Sequence, residues 1–130
     1  MASIFTKIVS GEIPCHKVAE TKDFLAFLDI SPVAKGHVLC IPKKETDAVY
    51  DLDDESYAGL FLFAKHVAVA LKKAVPCTKV GYAVVGLEVA HAHIHLIPIN
   101  AVADMDFSKA RLKPTPEELT DLAKKIHGFI

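Results

Sequence analysis

Cysteine is scarce in this 130-residue chain: Cys15, Cys40 and Cys77 are odd in number and none falls in a Cys-x-x-Cys pair. Neither a disulfide framework nor a zinc knuckle is therefore encoded, and a reducing compartment, the cytoplasm, is the expected location. An excess of charge of one sign is equally absent. A net charge of −1, with acidic and basic residues mixed along the chain, gives no electrostatic case for a nucleic-acid polymer or an anionic membrane as partner. Nucleotides stay open, because they need only a local site. The N-terminus, Met1 to Lys7, lacks the long apolar run of a secretory signal. The most hydropathic window, Val80 to Val102, is broken by Glu88, three histidines and Asn100, each costly in lipid, so it reads as buried strands and not as a membrane span. Repeats, low-complexity tracts and linkers are missing too. With 52% hydrophobic and 24% charged residues, the chain reads as one ordered domain, residues 1–130, long enough to bury a core.

What is present is concentrated in His91-Ala92-His93-Ile94-His95-Leu96-Ile97-Pro98, where imidazoles alternate with small and branched apolar residues. The alternation predicts a strand from Val89 to about Ile99, with His91, His93 and His95 on one face and Ala92, Ile94 and Leu96 on the other. Same-face neighbours on a strand sit about 6.5 to 7 Å apart, so the row spans about 13 Å, too far for all three to reach one zinc at about 2.1 Å without help from elsewhere. A phosphate, with several oxygens, suits the row better. Imidazole has an unperturbed pKa of about 6.5 and is a nucleophile when neutral, and crowding opposes charging all three rings at once. One ring can stay neutral and attack while another carries a proton. A chance run on an exposed strand and a metal site, with ligands from His91, His93, His95 and His37, are the alternatives.

The rest of the chain supplies a scaffold. Ser3 caps a short helix from Ile4 to about Ser10, with Phe5 and Ile8 on its apolar face. His16 to Glu20 and Phe24 to Ile30 read as strands joined by Thr21-Lys22-Asp23, and Gly36 to Ile41 is the next strand. Asp29 interrupts an apolar run before Ser31-Pro32, either as a turn device or as an acceptor pair for the two hydroxyls of a ribose. Asp53-Asp54-Glu55 starts a long helix to about Ala74, in which Leu60, Phe63, Ala64, Val67, Ala68 and Leu71 recur at helical spacing. Strands Thr78 to Val85 and Val89 to Ile99 follow, linked around Gly86. Thr115-Pro116-Glu117-Glu118 opens a final helix to about His127. The expected fold class is α+β, an antiparallel sheet of about five strands with one long helix packed on it and a C-terminal helix.

His91 to Ile97 resembles the signature of the histidine-triad (HIT) family, His-φ-His-φ-His-φ-φ with φ apolar, at all seven positions. The resemblance continues upstream through Ile4-Phe5-x-Lys7-Ile8, Gly11-Glu12-Ile13-Pro14, Phe24 to Pro32 and Gly36 to Lys44, and it is to the Hint branch. It implies a HIT-like fold, a symmetric homodimer, and hydrolysis or transfer at the α-phosphate of a nucleoside phosphoramidate or related AMP or GMP conjugate. His93 would attack the phosphorus, His95 and His37 would flank the phosphate, and His91 would hold the row; no cofactor or metal is needed. Asp29 would take the ribose. Phe5, Ile8, Ile13, Phe27, Leu28, Ile30 and Leu39 would wall the nucleoside pocket, with Gly86 and Glu88 on the loop before the triad. That loop departs from the family, which commonly carries Gly-Gln-Ser or Gly-Gln-Thr where this chain has Gly86-Leu87-Glu88. Glu88 either repels the substrate phosphate, accepts a proton from a leaving amine, pairs with a protonated histidine, or is a solvated loop residue. A dinucleoside-polyphosphate hydrolase and a nucleotide-binding regulator with little activity are the rival functions.

Overall fold

The computed structural model describes residues 2–130. Five strands form one antiparallel sheet in the order β1-β2-β3-β5-β4, with β1 Lys17–Glu20, β2 Phe24–Leu28, β3 Val38–Pro42, β4 Lys79–Ala83 and β5 Ile94–Ile99. Helices α1 (Ile4–Val9), α2 (Asp54–Ala74) and α3 (Pro116–His127) complete the fold. This is the α+β architecture expected from the sequence, and the helix limits follow from their caps. The Asp53 carboxylate accepts from the Ser56 N–H at 2.7 Å to start α2. Thr115 and Glu118 exchange side-chain-to-backbone bonds of 3.1 Å around Pro116 to start α3.

The period-2 pattern of the strands separates two apolar layers. Val18, Ala26, Leu28, Val38, Ile94 and Leu96 face α2 and α3, meeting Leu60, Val67, Leu71 and Ile126 in the larger core. Leu25, Phe27, Leu39 and Ile41 face the other way, under Phe5 of α1. Ala68, expected on the buried face of α2, is only half-buried.

All five strands are shorter than the sequence implies, β4 running from Lys79 to Ala83 and not from Thr78 to Val85, and the shortfalls of β2 and β5 shape the site. β2 stops at Leu28, not Ile30, because the Asp29 carboxylate accepts the Ser31 N–H at 2.8 Å and folds the chain into a turn. β5 begins at Ile94, not Val89. Upstream of it the His91 N–H is tied to the Val89 carbonyl (2.8 Å) and the Ala92 N–H to the Thr46 carbonyl (2.7 Å), outside the ladder. Only His95 of the three alternating histidines is a strand residue, paired with Leu39 on one side and Ala83 on the other. Before β3, Gly36 has φ of 90°, and a Cβ there would lie 3.0 to 3.2 Å from Val75, Pro98 and Leu71. A glycine is what lets the chain turn this tightly against α2 and deliver His37 to the sheet end.

Among the described residues, no helix is long and apolar enough to cross a membrane.

Candidate active site

The four expected histidines lie along β3 and the start of β5, His37 just before β3, His95 in β5 and His91 and His93 just before it, and their hydrogen bonds fix where each proton resides. A carbonyl only accepts, so the 2.7 Å contact between His93 Nδ1 and the His91 carbonyl places the His93 proton on Nδ1. In neutral His93, Nε2 therefore carries a bare lone pair. A backbone N–H only donates, so the 3.2 Å contact from Val33 N to His37 Nδ1 places the His37 proton on Nε2. That proton is donated to His95 Nδ1 at 2.8 Å, which puts the His95 proton on its own Nε2. The rings of His93 and His95 are 4.8 Å apart between centroids. Two backbone groups thus specify an imidazole lone pair beside an imidazole N–H, the complement needed to attack an electrophile while donating to one of its oxygens or to its leaving group.

Burial keeps these rings neutral. His37 is fully buried and His93 nearly so. Desolvation is the leading cause that pushes His37 down to about 3, with the neighbouring His95, Arg111 and His93 charges adding to it. His95 is pushed down to about 4, again first by desolvation and then by His93 and Arg111. His93 is lowered by desolvation too, partly offset by its bond to the His91 carbonyl.

His91 is a scaffold ring. Its Nε2–H donates to the Pro42 carbonyl at 2.7 Å, so Nδ1 accepts from the Ser3 hydroxyl at 2.8 Å. Ser3 is also the N-cap of α1, its Oγ accepting from the Thr6 N–H at 3.0 Å. Glu45 closes the cluster, accepting from the Ser3 N–H (2.6 Å) and the Thr6 hydroxyl (2.7 Å). Ser3→Ala is therefore expected to cost about 1 kcal/mol of stability through the lost cap. The same change frees the His91 ring and with it the carbonyl that orients His93, so turnover should fall about tenfold. Denaturant unfolding beside steady-state kinetics checks both; a stability loss with unchanged turnover would restrict Ser3 to capping.

The apolar residues expected to wall a pocket divide. Phe5 packs edge-on against His93 (5.1 Å), His91 (5.8 Å) and Phe27 (5.6 Å). Phe27 and Leu39 lie in the same layer, with Ile8 packed against it. Ile13 is half-buried beyond α1, and Ile30 is 67% exposed at the mouth. Leu28 corrects the expectation: its side chain enters the opposite core under α2, because adjacent residues of one strand cannot share a face. Gly86 turns the chain at φ of 76° and Glu88 is exposed on the loop that follows. The Glu88 charge still bears on the site, opposing ionisation of Asp29 and favouring protonation of His93. Asp29 sits beside the row, with its carboxylate 3.8 Å from His37 Nδ1. Among the described residues, no group of three or more His, Cys, Asp or Glu is placed to hold a metal ion.

Sequence reasoning missed Phe107 and Arg111. Phe107 packs edge-on against His95 (4.8 Å) and lies 6.1 Å from the His37 ring. Arg111 Nη1 donates to the Ser31 carbonyl at 2.8 Å and approaches the Asp29 carboxylate at 3.9 Å. The segment carrying them has no periodicity to read, but Arg111 is the only arginine in the chain, a signal that was available.

A five-stranded antiparallel sheet bearing four imidazoles on and beside its inner strands β3 and β5, one with a bare ring nitrogen, defines a histidine-centred α+β protein. The HIT domain family matches residues 10–102, and the chain belongs to that family. It is 38% identical over 132 residues to the adenosine 5′-monophosphoramidase of Schizosaccharomyces pombe, covering 100% of this chain and 99% of that one. It is 42% identical over 98 residues to the adenosine 5′-monophosphoramidase of Saccharomyces cerevisiae, covering 75% of this chain and 62% of the yeast protein. A HIT-like protein from Bartonella henselae, described as involved in cell-cycle regulation, has the same fold with a TM-score of 0.85, 32% identity, and coverage of 98% of this chain and 96% of that one.

Proposed function

We propose that this protein is a nucleotide hydrolase or transferase that cleaves nucleoside phosphoramidates, or related nucleotide conjugates, at the α-phosphate through a nucleotidyl-histidine intermediate. The observation that carries the reading is the bare Nε2 of His93 held beside the Nε2–H of His95. The similarity to two adenosine 5′-monophosphoramidases supports the substrate class.

In this mechanism His93 Nε2 forms a bond to the α-phosphorus as the bond to the leaving amine breaks; the His95 Nε2–H hydrogen-bonds a phosphoryl oxygen, and the amine departs with a proton taken from solvent water. Water then attacks the phosphorus and releases its proton to solvent, and the bond between phosphorus and His93 breaks to release the nucleoside monophosphate. His37 and His91 hold the tautomers and do not react. Asp29 accepts the ribose hydroxyls, and Phe5, Phe27 and Leu39, with Ile8, Ile13 and Ile30, receive a purine base. The working unit is a cytoplasmic homodimer.

Incubation with an adenosine phosphoramidate, its guanosine analogue and a diadenosine polyphosphate tests the reading. The phosphoramidates are expected to have the higher kcat/KM. Turnover of the polyphosphate alone would make the protein a dinucleoside-polyphosphate hydrolase, and tight AMP binding with no turnover would make it a regulator.

Glu88 works against this chemistry in the proposed reading, because its charge favours protonating the nucleophile and repels an incoming phosphate. Glu88→Ser is expected to raise kcat/KM for the adenosine phosphoramidate by about three- to tenfold, with a smaller gain at higher ionic strength. Unchanged or lower turnover would instead assign Glu88 to proton acceptance from the leaving amine or to the solvated loop.

A further inference from the structure

The matched HIT residues end at 102, yet residues 107–112 return across the site. Phe107 closes on His95 at one end of this segment, and at the other the Leu112 N–H donates to the Pro32 carbonyl at 2.9 Å. Between them Arg111 lies with its Cζ 5.7 Å from the Phe107 ring centroid, its Nη1 on the Ser31 carbonyl and its charge beside Asp29. Ser31 therefore joins the two: its N–H holds Asp29 Oδ1 and its carbonyl holds Arg111.

We propose that Arg111 is the positioning residue for ribose recognition: anchored on Ser31 and stacked on Phe107, it holds the Asp29 carboxylate ionised and aimed, and so sets the preference for conjugates of ribonucleosides. This inference rests on the nucleotide reading above and adds to it a residue from outside the matched family segment.

Three features support it. Asp29 is largely buried, and burial alone raises it above the ordinary carboxylate value; the Ser31 N–H, Arg111 and His93 oppose that rise while Glu88 adds to it. His37 also faces Asp29, but its Nδ1 accepts from Val33 and has no proton to give. Arg111 is thus the permanent positive charge beside an acceptor that must stay ionised to take two hydroxyl protons. Finally, a planar guanidinium can hold the Ser31 carbonyl, lie over an aromatic ring and face a carboxylate at once, which an ammonium group does less well.

The test compares binding of AMP and 2′,3′-dideoxy-AMP by calorimetry to the full chain, to Arg111→Met and to Arg111→Lys, from pH 8 to pH 5. Binding is measured because it does not depend on turnover. The parent is expected to favour AMP by about thirtyfold, and Arg111→Met to lose about tenfold in AMP affinity with dideoxy-AMP little changed, so that the ratio collapses. Arg111→Lys should fall between them. In Arg111→Met the remaining preference should also fade at a higher pH than in the parent, because Asp29 then takes up its proton under milder acid; a residue that merely packs the segment would not move that profile. In an Asp29→Asn background, Arg111→Met should change the ratio no further. An unchanged ratio in Arg111→Met, or equal losses for both ligands, overturns the proposal while leaving nucleotide binding intact. If the parent binds neither nucleotide, the nucleotide reading falls, and this one with it.

Discussion

His93→Ala is expected to lower turnover of an adenosine phosphoramidate by on the order of 10⁴-fold or more, because in the proposed mechanism it removes the group that bonds to phosphorus and leaves only binding and neighbouring donors. The fold should persist. Phe5 loses one edge contact, while the ladder of β3, β5 and β4 does not involve the His93 ring. Mass spectrometry of acid-quenched protein should find a nucleotide adduct on the parent and none on the variant. An adduct on the variant would move the nucleophile to another ring. Parent protein that turns over substrate with no adduct at any quench time would point to direct attack by water, with His93 as its base.

The second large effect belongs to a ring that never touches phosphorus. His37→Leu removes the Nε2–H that fixes His95, so His95 becomes free to present a lone pair, not an N–H, toward the phosphate. A loss of about a hundredfold in kcat is expected, with a much smaller change in KM. Stability carries a separate signature. The unfolded chain protonates His37 near the ordinary value of about 6.5, whereas the folded protein does so only near 3. Between those two values the unfolded state binds more protons, so acid destabilises the parent through this ring, by up to about 1.4 kcal/mol per pH unit. The variant lacks that liability but leaves the buried Val33 N–H unpaired, a cost of about 1 to 3 kcal/mol. His37→Leu should therefore be the less stable protein at pH 7.5, with the gap narrowing steadily toward pH 5. A gap that is constant or widens in acid would mean that His37 titrates normally in the folded protein.

Much of this was legible in the residues themselves. The capping signals at Ser3 and Thr115 and the acidic run from Asp53 lie in sequence next to the helices they start, and each helix begins there. The three alternating histidines announced a shared face, and Asp29 a strand end, because both depend on local spacing. The early limit of β5 was hidden, since a period-2 pattern reports which side chains alternate and not which carbonyl receives the backbone; Thr46, distant in sequence, takes the Ala92 N–H. Leu28 was misassigned although the alternation itself excluded it from the face of Phe27. The proton positions on His37 and His93 were beyond any sequence reading, because they are set by the backbone of Val33 and His91. Arg111 acts across 80 residues from Ser31, a separation no local pattern records.

The segment from 107 to 112 gives these molecules a division of labour. The imidazoles are locked to β3, β5 and the backbone around them, whereas the aromatic and guanidinium groups above them arrive on a later stretch tied down at Ser31 and Pro32. On the roles proposed above, selection of the sugar rests on the later stretch and bonding to phosphorus on the earlier one, with Phe107 against His95 as the point where the two meet.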